Sequence, residues 1–133
     1  MKTLFLAVIL TLVFGSVVTA NAQTDSAIKV KVGKQKKFSR SKIKIKFVSL
    51  VEDSRCPEGV NCVWAGNANI KVMISQGNGA GEIFEMNTNL GAKGATFGGY
   101  AINLVSLTPT PKANVRIDKD SYTATFSIVR MTR

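Results

Sequence analysis

The chain has 133 residues, of which 18 are lysine or arginine and 8 are aspartate or glutamate, so its formal net charge at pH 7 is +10. It contains two cysteines and no histidine. Without histidine, a Ser-His-Asp or Cys-His catalytic arrangement is excluded, and two cysteines alone do not make a structural zinc site. We therefore predict a protein that is not an enzyme and that holds no metal or other cofactor.

The N-terminal segment has the pattern of a secretory signal peptide. Lys2 precedes an apolar run over residues 4–18, and residues 20–22 read Ala-Asn-Ala, which is a small-x-small cleavage site. The run is short for a membrane span and has no basic flank after it. We predict a signal peptide over residues 1–22, export to the periplasm or the exterior, and no membrane span in the mature chain.

Hydrophobic periodicity in the mature part predicts short β-strands, which we take in chain order. Strict alternation of apolar and polar residues is typical of a strand with one buried face. The pattern also changes phase after Leu104, which predicts either a bulge or burial on both faces of that strand. The predicted strands cover residues 28–32, 42–47, 62–75, 82–86, 100–107 and 122–128.

Turn-rich segments separate these strands, at residues 76–81, 90–99 and 108–111. The glycine-rich residues 91–96 lack the spacing of a phosphate-binding loop, and we predict a hairpin loop there. Six or seven short strands with frequent turns are typical of all-β folds. We predict one domain over residues 23–133, an antiparallel β-sandwich of immunoglobulin-like type or an open barrel.

Both cysteines lie in a short segment that also contains the only tryptophan of the chain. Cys56 and Cys62 are separated by five residues that include Pro57 and Gly59, a composition that favours a turn and brings the two side chains together. In an exported protein such a pair is predicted to form a disulfide. Because the closed loop is short, the bridge should stabilise the fold by only about 2 kcal/mol.

The residues around this disulfide are predicted to form a structural loop. An aspartate before a turn commonly accepts hydrogen bonds from nearby backbone N–H groups, and Arg55 can pair with a neighbouring carboxylate and hold the loop against the sheet. Trp64 shares its strand face with Cys62, so we expect the indole beside the bridge at the rim of the core. The predicted loop residues are Asp53, Arg55, Pro57, Gly59, Trp64 and Gly66.

Other uses of this segment stay open. The carboxylates of Glu52, Asp53 and Glu58 are suited to calcium, as in a calcium-dependent adhesion domain, or to acid–base chemistry. A redox-active cysteine pair usually has two intervening residues rather than the five found here, so this reading is weaker. A rigid loop over residues 52–61 also suits a small secreted enzyme inhibitor that presents the loop to a protease cleft.

Charge is concentrated in one part of the chain, where nine basic residues and no acidic residue lie between Lys29 and Lys46. Alternation puts Lys29 and Lys31 on one face of their strand. It also puts Lys42, Lys44 and Lys46 on one face of the next strand, so the five lysines form one cationic face if the two strands are neighbours. Such a face is either solvated, protects a sheet edge, or binds an anionic partner.

The partner predicted for these five lysines is an anionic polymer of the cell envelope, with lipid head groups or a protein partner as the alternatives. Nucleic acid is the weaker choice, because binding to single strands uses aromatic side chains interleaved with the basic residues. Only Phe38 and Phe47 lie in the lysine-rich region, and Phe47 has the parity of the core.

Three blocks of the sequence belong together: DSRCP at 53–57, the second cysteine with WAG at 64–66, and GYAINL at 99–104 with the prolines that follow it. They resemble the signature of a family of small exported bacterial proteins of unassigned function, and the resemblance covers most of the predicted mature chain. The resemblance implies an envelope or secreted β-domain and brings no activity. Some members are lipoproteins, and this chain departs from them because its first cysteine is Cys56. We predict an exported, non-catalytic binding or structural module of the bacterial envelope.

Overall fold

Eight β-strands dominate residues 26–132, the part of the chain that the computed structural model describes. They are β1 (Ser26–Lys31), β2 (Gln35–Phe38), β3 (Ile43–Asp53), β4 (Ala68–Gln76), β5 (Glu82–Asn87), β6 (Gly94–Phe97), β7 (Tyr100–Thr108) and β8 (Thr123–Arg130), with one turn of 3-10 helix at Lys119–Ser121. The predicted signal peptide lies outside the described residues.

The strands form two four-stranded antiparallel sheets, with the order β1-β8-β7-β6 in the first and β2-β3-β4-β5 in the second. The chain changes sheet between β1 and β2 and again between β5 and β6. Strands that follow one another in sequence are therefore neighbours around the whole fold, which gives the sandwich the strand order of a flattened barrel. The predicted all-β antiparallel sandwich is confirmed.

The core lies between the sheets and follows directly from the alternation in the sequence. In β4, β8 and the first half of β3, up to Phe47, every second side chain points inward and is buried. Each large apolar side chain buried in this way contributes about 2 kcal/mol of hydrophobic stabilisation. The largest fully buried side chains are Phe47, Phe126, Ile43, Ile45, Ile70, Ile74, Met86, Ile102, Val30 and Val72.

The bulge predicted in the strand at residues 100–107 is confirmed. The register of β7 against β8 shifts between Leu104 and Ser106, which turns Val105 outward and leaves Leu107 buried. The bulge lets one strand bury residues of both parities, which is the phase change that the sequence shows.

Two predictions about local structure are wrong. The strand predicted from residue 62 begins only at Ala68, because Gly66 has a φ of 74° and interrupts the extended chain before it. The hairpin loop predicted at residues 91–96 contains the start of β6. This strand was missed because it begins with a glycine and an alanine, which do not favour strands. Within residues 26–132 there is no helix of the length and apolarity that crossing a bilayer requires.

Candidate functional site

The disulfide between Cys56 and Cys62 closes the tip of a long hairpin made by β3 and β4. Its Cα atoms are 5.9 Å apart. The β3–β4 ladder continues beyond the strand ends, because Ser54 donates its backbone N–H to the carbonyl of Asn67 (2.7 Å) and Cys56 donates to the carbonyl of Ala65 (2.9 Å). The predicted disulfide is confirmed, and it holds the two chains of the hairpin together where the ladder ends.

Arg55 ties this hairpin to the opposite sheet. Its Nε and Nη2 atoms donate to the two carboxylate oxygens of Asp53, each at 2.8 Å. Its Nη1 donates to the carbonyl of Leu107 at 2.6 Å, and Nη2 also donates to the carbonyl of Pro109 at 2.9 Å. The side chains of Arg55 and Asp53 are only 14% and 8% exposed. A planar, bidentate and largely buried ion pair of this kind joins the end of β3 to the end of β7.

Tyr122, which sequence reasoning did not assign, completes the cluster by donating its hydroxyl to Oδ2 of Asp53 at 2.8 Å. Burial by itself raises the pKa of the Asp53 carboxyl, but hydrogen bonds from Arg55 and Tyr122 and the charge of Arg55 outweigh it and hold the pKa below its ordinary value. Burial, together with the hydrogen bond and charge of Asp53, raises the pKa of Tyr122 to about 12.

This cluster is suited to bracing the loop rather than to catalysis or calcium binding. Both oxygens of Asp53 already accept strong hydrogen bonds, so neither is free to abstract a proton or to coordinate an ion. Among residues 26–132 there is also no group of three acidic, cysteine or histidine side chains placed to hold a metal ion. The geometry therefore gives no support to the calcium-dependent adhesion alternative.

Between the loop residues Pro57 and Gly59, the backbone of the loop is hydrogen-bonded to the segment that follows β7. Glu58 between them donates its backbone N–H to the carbonyl of Pro111 at 2.8 Å and forms a short parallel bridge with Lys112. The loop between β3 and β4, residues 54–67, is thus held by its own disulfide, by the Arg55 cluster and by the segment that follows β7. We call it the stapled loop. A loop held by so many contacts is already ordered before it binds a partner.

Asn67 organises the neighbouring loop, another role that the sequence analysis missed. Its Oδ1 accepts from the backbone N–H groups of Asn89 and Leu90, both at 3.0 Å, and its Nδ2 donates to Oδ1 of Asn87 at 2.8 Å. Asn89 in turn donates its Nδ2 to the carbonyl of Gly66 at 3.0 Å. The only signal in the sequence is that these asparagines sit at strand ends, where their amides commonly replace ladder hydrogen bonds.

Apolar side chains project into solvent from these two loops, and we call them the apolar tip: Val60, Val63, Trp64 and Leu90. The prediction that Trp64 lies at the rim of the core is wrong, since its side chain is 56% exposed. The change of backbone direction at Gly66 breaks the parity that would have turned the indole inward. The apolar tip is therefore exposed to solvent, and most of it lies on the loop that the disulfide and the Arg55 cluster hold in place.

At the other end of β3, lysines occupy the outer surface of the second sheet. Lys37 of β2 lies directly opposite Lys44 of β3, and Lys46 lies one repeat further along the same face. We call these three residues the cationic face. The predicted Lys42 is exposed in the turn before β3, with a φ of 57°. Sequence reasoning did not place Lys37 on this face because β2 has no clear alternation.

The two remaining predicted lysines are not part of this face. Lys29 and Lys31 lie on β1, opposite Thr125 and Thr123 of β8, on the outer surface of the first sheet. The condition for one cationic face of all five lysines, that the two strands are neighbours, is therefore not met, because β1 and β3 belong to different sheets.

The cationic face has no local charge compensation. The ion pair of Arg55 with Asp53 is the single one among residues 26–132, so no described carboxylate lies within 4.0 Å of these lysines. Their neighbours on β4 are uncharged, with Ser75 opposite Lys44 and Met73 opposite Lys46. The three ammonium groups therefore repel one another with only solvent to screen them.

No protein-family model, curated protein or solved structure matches the chain. The resemblance of its cysteine segment to a family of exported bacterial proteins therefore stays a prediction. Two surfaces are left as guides to function, the apolar tip and the cationic face.

Proposed function

We propose that the protein is an exported, non-catalytic binding module that holds an anionic polymer of the bacterial envelope on its cationic face. The observation that carries the proposal is the direct opposition of Lys37 and Lys44 across β2 and β3. Like charges in such cross-strand positions destabilise a sheet. An anionic chain laid across them would relieve that repulsion.

The spacing of the cationic face suits a charged chain better than a single small anion. Side chains directly opposite each other have Cβ atoms about 5 Å apart. Residues two apart on a strand, such as Lys44 and Lys46, are separated by about 7 Å. Three cations at these intervals on a flat sheet surface can meet successive negative charges of one polymer, and each contact releases counterions to solution.

Reversing two charges of the cationic face should abolish binding without harming the fold. The variant carries Lys44→Glu and Lys46→Glu, and its affinity for long-chain polyphosphate is compared with that of the parent at low and high salt. We expect salt-sensitive binding by the parent and a loss of about tenfold or more in the variant. Because the new carboxylate at position 44 faces Lys37, the free energy of unfolding should stay level or rise by up to about 1 kcal/mol.

A matched control separates the face from net charge. Lys112→Glu with Lys119→Glu changes the net charge of the protein by the same amount at two exposed positions outside the cationic face. This control should keep most of its affinity for polyphosphate. If both double variants weaken binding equally, polyphosphate responds only to the overall charge and the cationic face is not a site.

The apolar tip favours a second candidate function, the inhibition of an enzyme by insertion of the stapled loop. Trp64 and Val63 are exposed on a loop that is already ordered by the disulfide and the Arg55 cluster. Rigid loops of this kind bind clefts with little loss of conformational entropy, and tryptophan is often the residue that contributes most. Val60 lies within the loop 52–61 that the sequence predicts for this role, whereas Val63 and Trp64 lie just beyond it.

This candidate is tested by titrating chymotrypsin and subtilisin with the protein and measuring residual protease activity. Inhibition by loop insertion should be insensitive to salt and should weaken by about tenfold or more in Trp64→Ser, since a buried aromatic anchor contributes at least that much. Lys44→Glu with Lys46→Glu should have no effect. The absence of any inhibition of either protease by the parent protein would leave this candidate without support.

A further inference from the structure

We propose that the cationic face is one half of a longer cationic band, which wraps around the β1–β2 edge of the sandwich and takes a long, flexible polyanion across both sheets. The inference rests on the proposed function and names the class of ligand that the site selects. It also gives a role to Lys29 and Lys31, which the cationic face alone leaves out.

The connection between β1 and β2 is what makes the band continuous. Lys34 donates its backbone N–H to the carbonyl of Lys31 at 2.9 Å, which closes a tight turn. Within that turn Val32 still donates to Tyr122 beside the first sheet, whereas Gly33 already donates to Phe47 of the second sheet at 2.7 Å. The chain therefore crosses from one sheet to the other within two residues. The edge strand β1 ends, and the edge strand β2 begins, at the same corner of the sandwich.

Lysines occupy every part of this corner. Those of β1 face outward from the first sheet between threonines of β8, and Lys34 is exposed in the turn. Lys36 is exposed on β2, although its register partner Ile45 is buried, so it lies at the open edge between the sheets. The sequence contains no acidic residue from position 26 to position 51. The cationic band comprises Lys29, Lys31, Lys34, Lys36, Lys37, Lys44 and Lys46.

The shape of the band selects its ligand. The two sheets of a sandwich are stacked about 10 Å apart, and their outer faces point in opposite directions. A planar membrane surface can meet only one of these faces, and a short anion can meet only a few lysines on one face. A long chain that bends can follow the lysines from one face, around the edge, to the other. The convex band therefore favours a flexible polymer over an anionic bilayer.

Counterion release predicts how steeply the binding constant should fall with salt concentration, which can be measured. For a single-stranded polyanion the logarithm of the binding constant falls with the logarithm of the salt concentration by about 0.7 for each cation engaged. Seven lysines predict a slope of about −5, and the three lysines of the cationic face alone predict about −2. Tripolyphosphate is too short to span both sheets and should give the shallower slope.

The test uses the mature protein with three probes: tripolyphosphate, long-chain polyphosphate, and vesicles of phosphatidylglycerol in phosphatidylcholine. The decisive variant carries Lys29→Glu and Lys31→Glu, and Lys112→Glu with Lys119→Glu is the control of equal charge. We expect the decisive variant to weaken long-chain binding by about tenfold or more and to flatten its salt slope, while binding of tripolyphosphate stays unchanged. Thermal melts check that each variant is folded.

The outcomes separate this inference from the proposed function. If the change at Lys29 and Lys31 leaves the long-chain slope unaltered while the change at Lys44 and Lys46 abolishes binding, the band is wrong and the cationic face stands. If neither change alters binding, both proposals fail. If vesicles bind as tightly as the long chain and lose affinity only through one face, a membrane replaces the polymer as the ligand.

Discussion

Replacing Arg55 with methionine should lower the free energy of unfolding by about 3 to 5 kcal/mol, the range expected when one partner of a buried ion pair is removed. The guanidinium donates to Asp53 and to the carbonyls of Leu107 and Pro109. Methionine fills similar space but donates nothing, so a carboxylate that is 8% exposed loses its cation and two carbonyls lose their donors. Urea denaturation of the purified protein measures the loss.

Three further variants show whether the ion pair is the cause. Arg55→Lys keeps the charge but not the planar fork, and should recover only part of the stability. Arg40→Met removes an arginine that is exposed in the turn before β3 and should change stability by less than about 0.5 kcal/mol. Asp53→Asn combined with Arg55→Met should cost less than the sum of the single changes. Additive losses would mean that Arg55 stabilises the fold independently of Asp53, through packing and its hydrogen bonds to the carbonyls of Leu107 and Pro109.

The same cluster predicts how stability depends on pH. The folded pKa of Asp53 lies below its ordinary value of 3.8, so its contribution is present above that value and is lost as the pH falls through the folded pKa. In Arg55→Met the carboxyl of Asp53 keeps its burial, the hydrogen bond from Tyr122 and the one from the backbone N–H at position 55, but it loses the guanidinium, so its pKa should rise. The difference in stability between parent and variant should therefore be largest near neutral pH and shrink below about pH 4.

Tyr122 acts at the alkaline end of the range. Its pKa is raised from 10.0 to about 12 in the folded protein. Its contribution to stability is therefore complete below pH 10 and is lost as the pH rises toward 12. Tyr122→Phe should remove that alkaline loss and also raise the pKa of Asp53, because the carboxylate would lose one of its hydrogen bonds.

The parts of the fold that were predictable are those where local patterning decides the structure. β3 and β8 alternate apolar and polar residues because one face of each is buried, and their parity was read correctly from the sequence. The disulfide was predictable for a similar reason, since a proline and a glycine between two cysteines close together in sequence favour a turn that brings them together.

The parts that were missed depend on contacts between distant segments. The edge strand β2 carries two lysines and little apolar alternation, because only the last of its four residues, Phe38, is even partly buried. The carbonyl groups at positions 107 and 109 that accept hydrogen bonds from Arg55 lie more than fifty residues away in the chain. No local sequence pattern predicts these contacts. The distribution of the lysines over two sheets depends on strand order, which alternation does not contain.

The close approach of chains at Gly66 makes this glycine the second position where a small change should have a large effect. Gly66 is buried, has a φ of 74°, and packs against the backbone of the opposite chain of the hairpin. A Cβ atom added there would overlap the carbonyl oxygen of Ser54 and come within 2.8 Å of the Cα of Arg55. Both neighbours are backbone atoms, so neither can rotate away, and Gly66→Ala should cost about 3 to 5 kcal/mol.

Gly59→Ala is the matched control, because Gly59 lies in the same loop with a φ of 78° and a Cβ there would meet nothing within 4 Å. It should cost only the backbone strain of a positive φ, about 1 kcal/mol. Equal losses in the two variants would show that the conformation matters and the close approach does not. Lys44 lies at the opposite end of β3 from this contact, so folded Gly66→Ala protein should still bind polyphosphate with the affinity of the parent. Such a result would separate the role of the stapled loop in stability from the binding role that we propose for the cationic face.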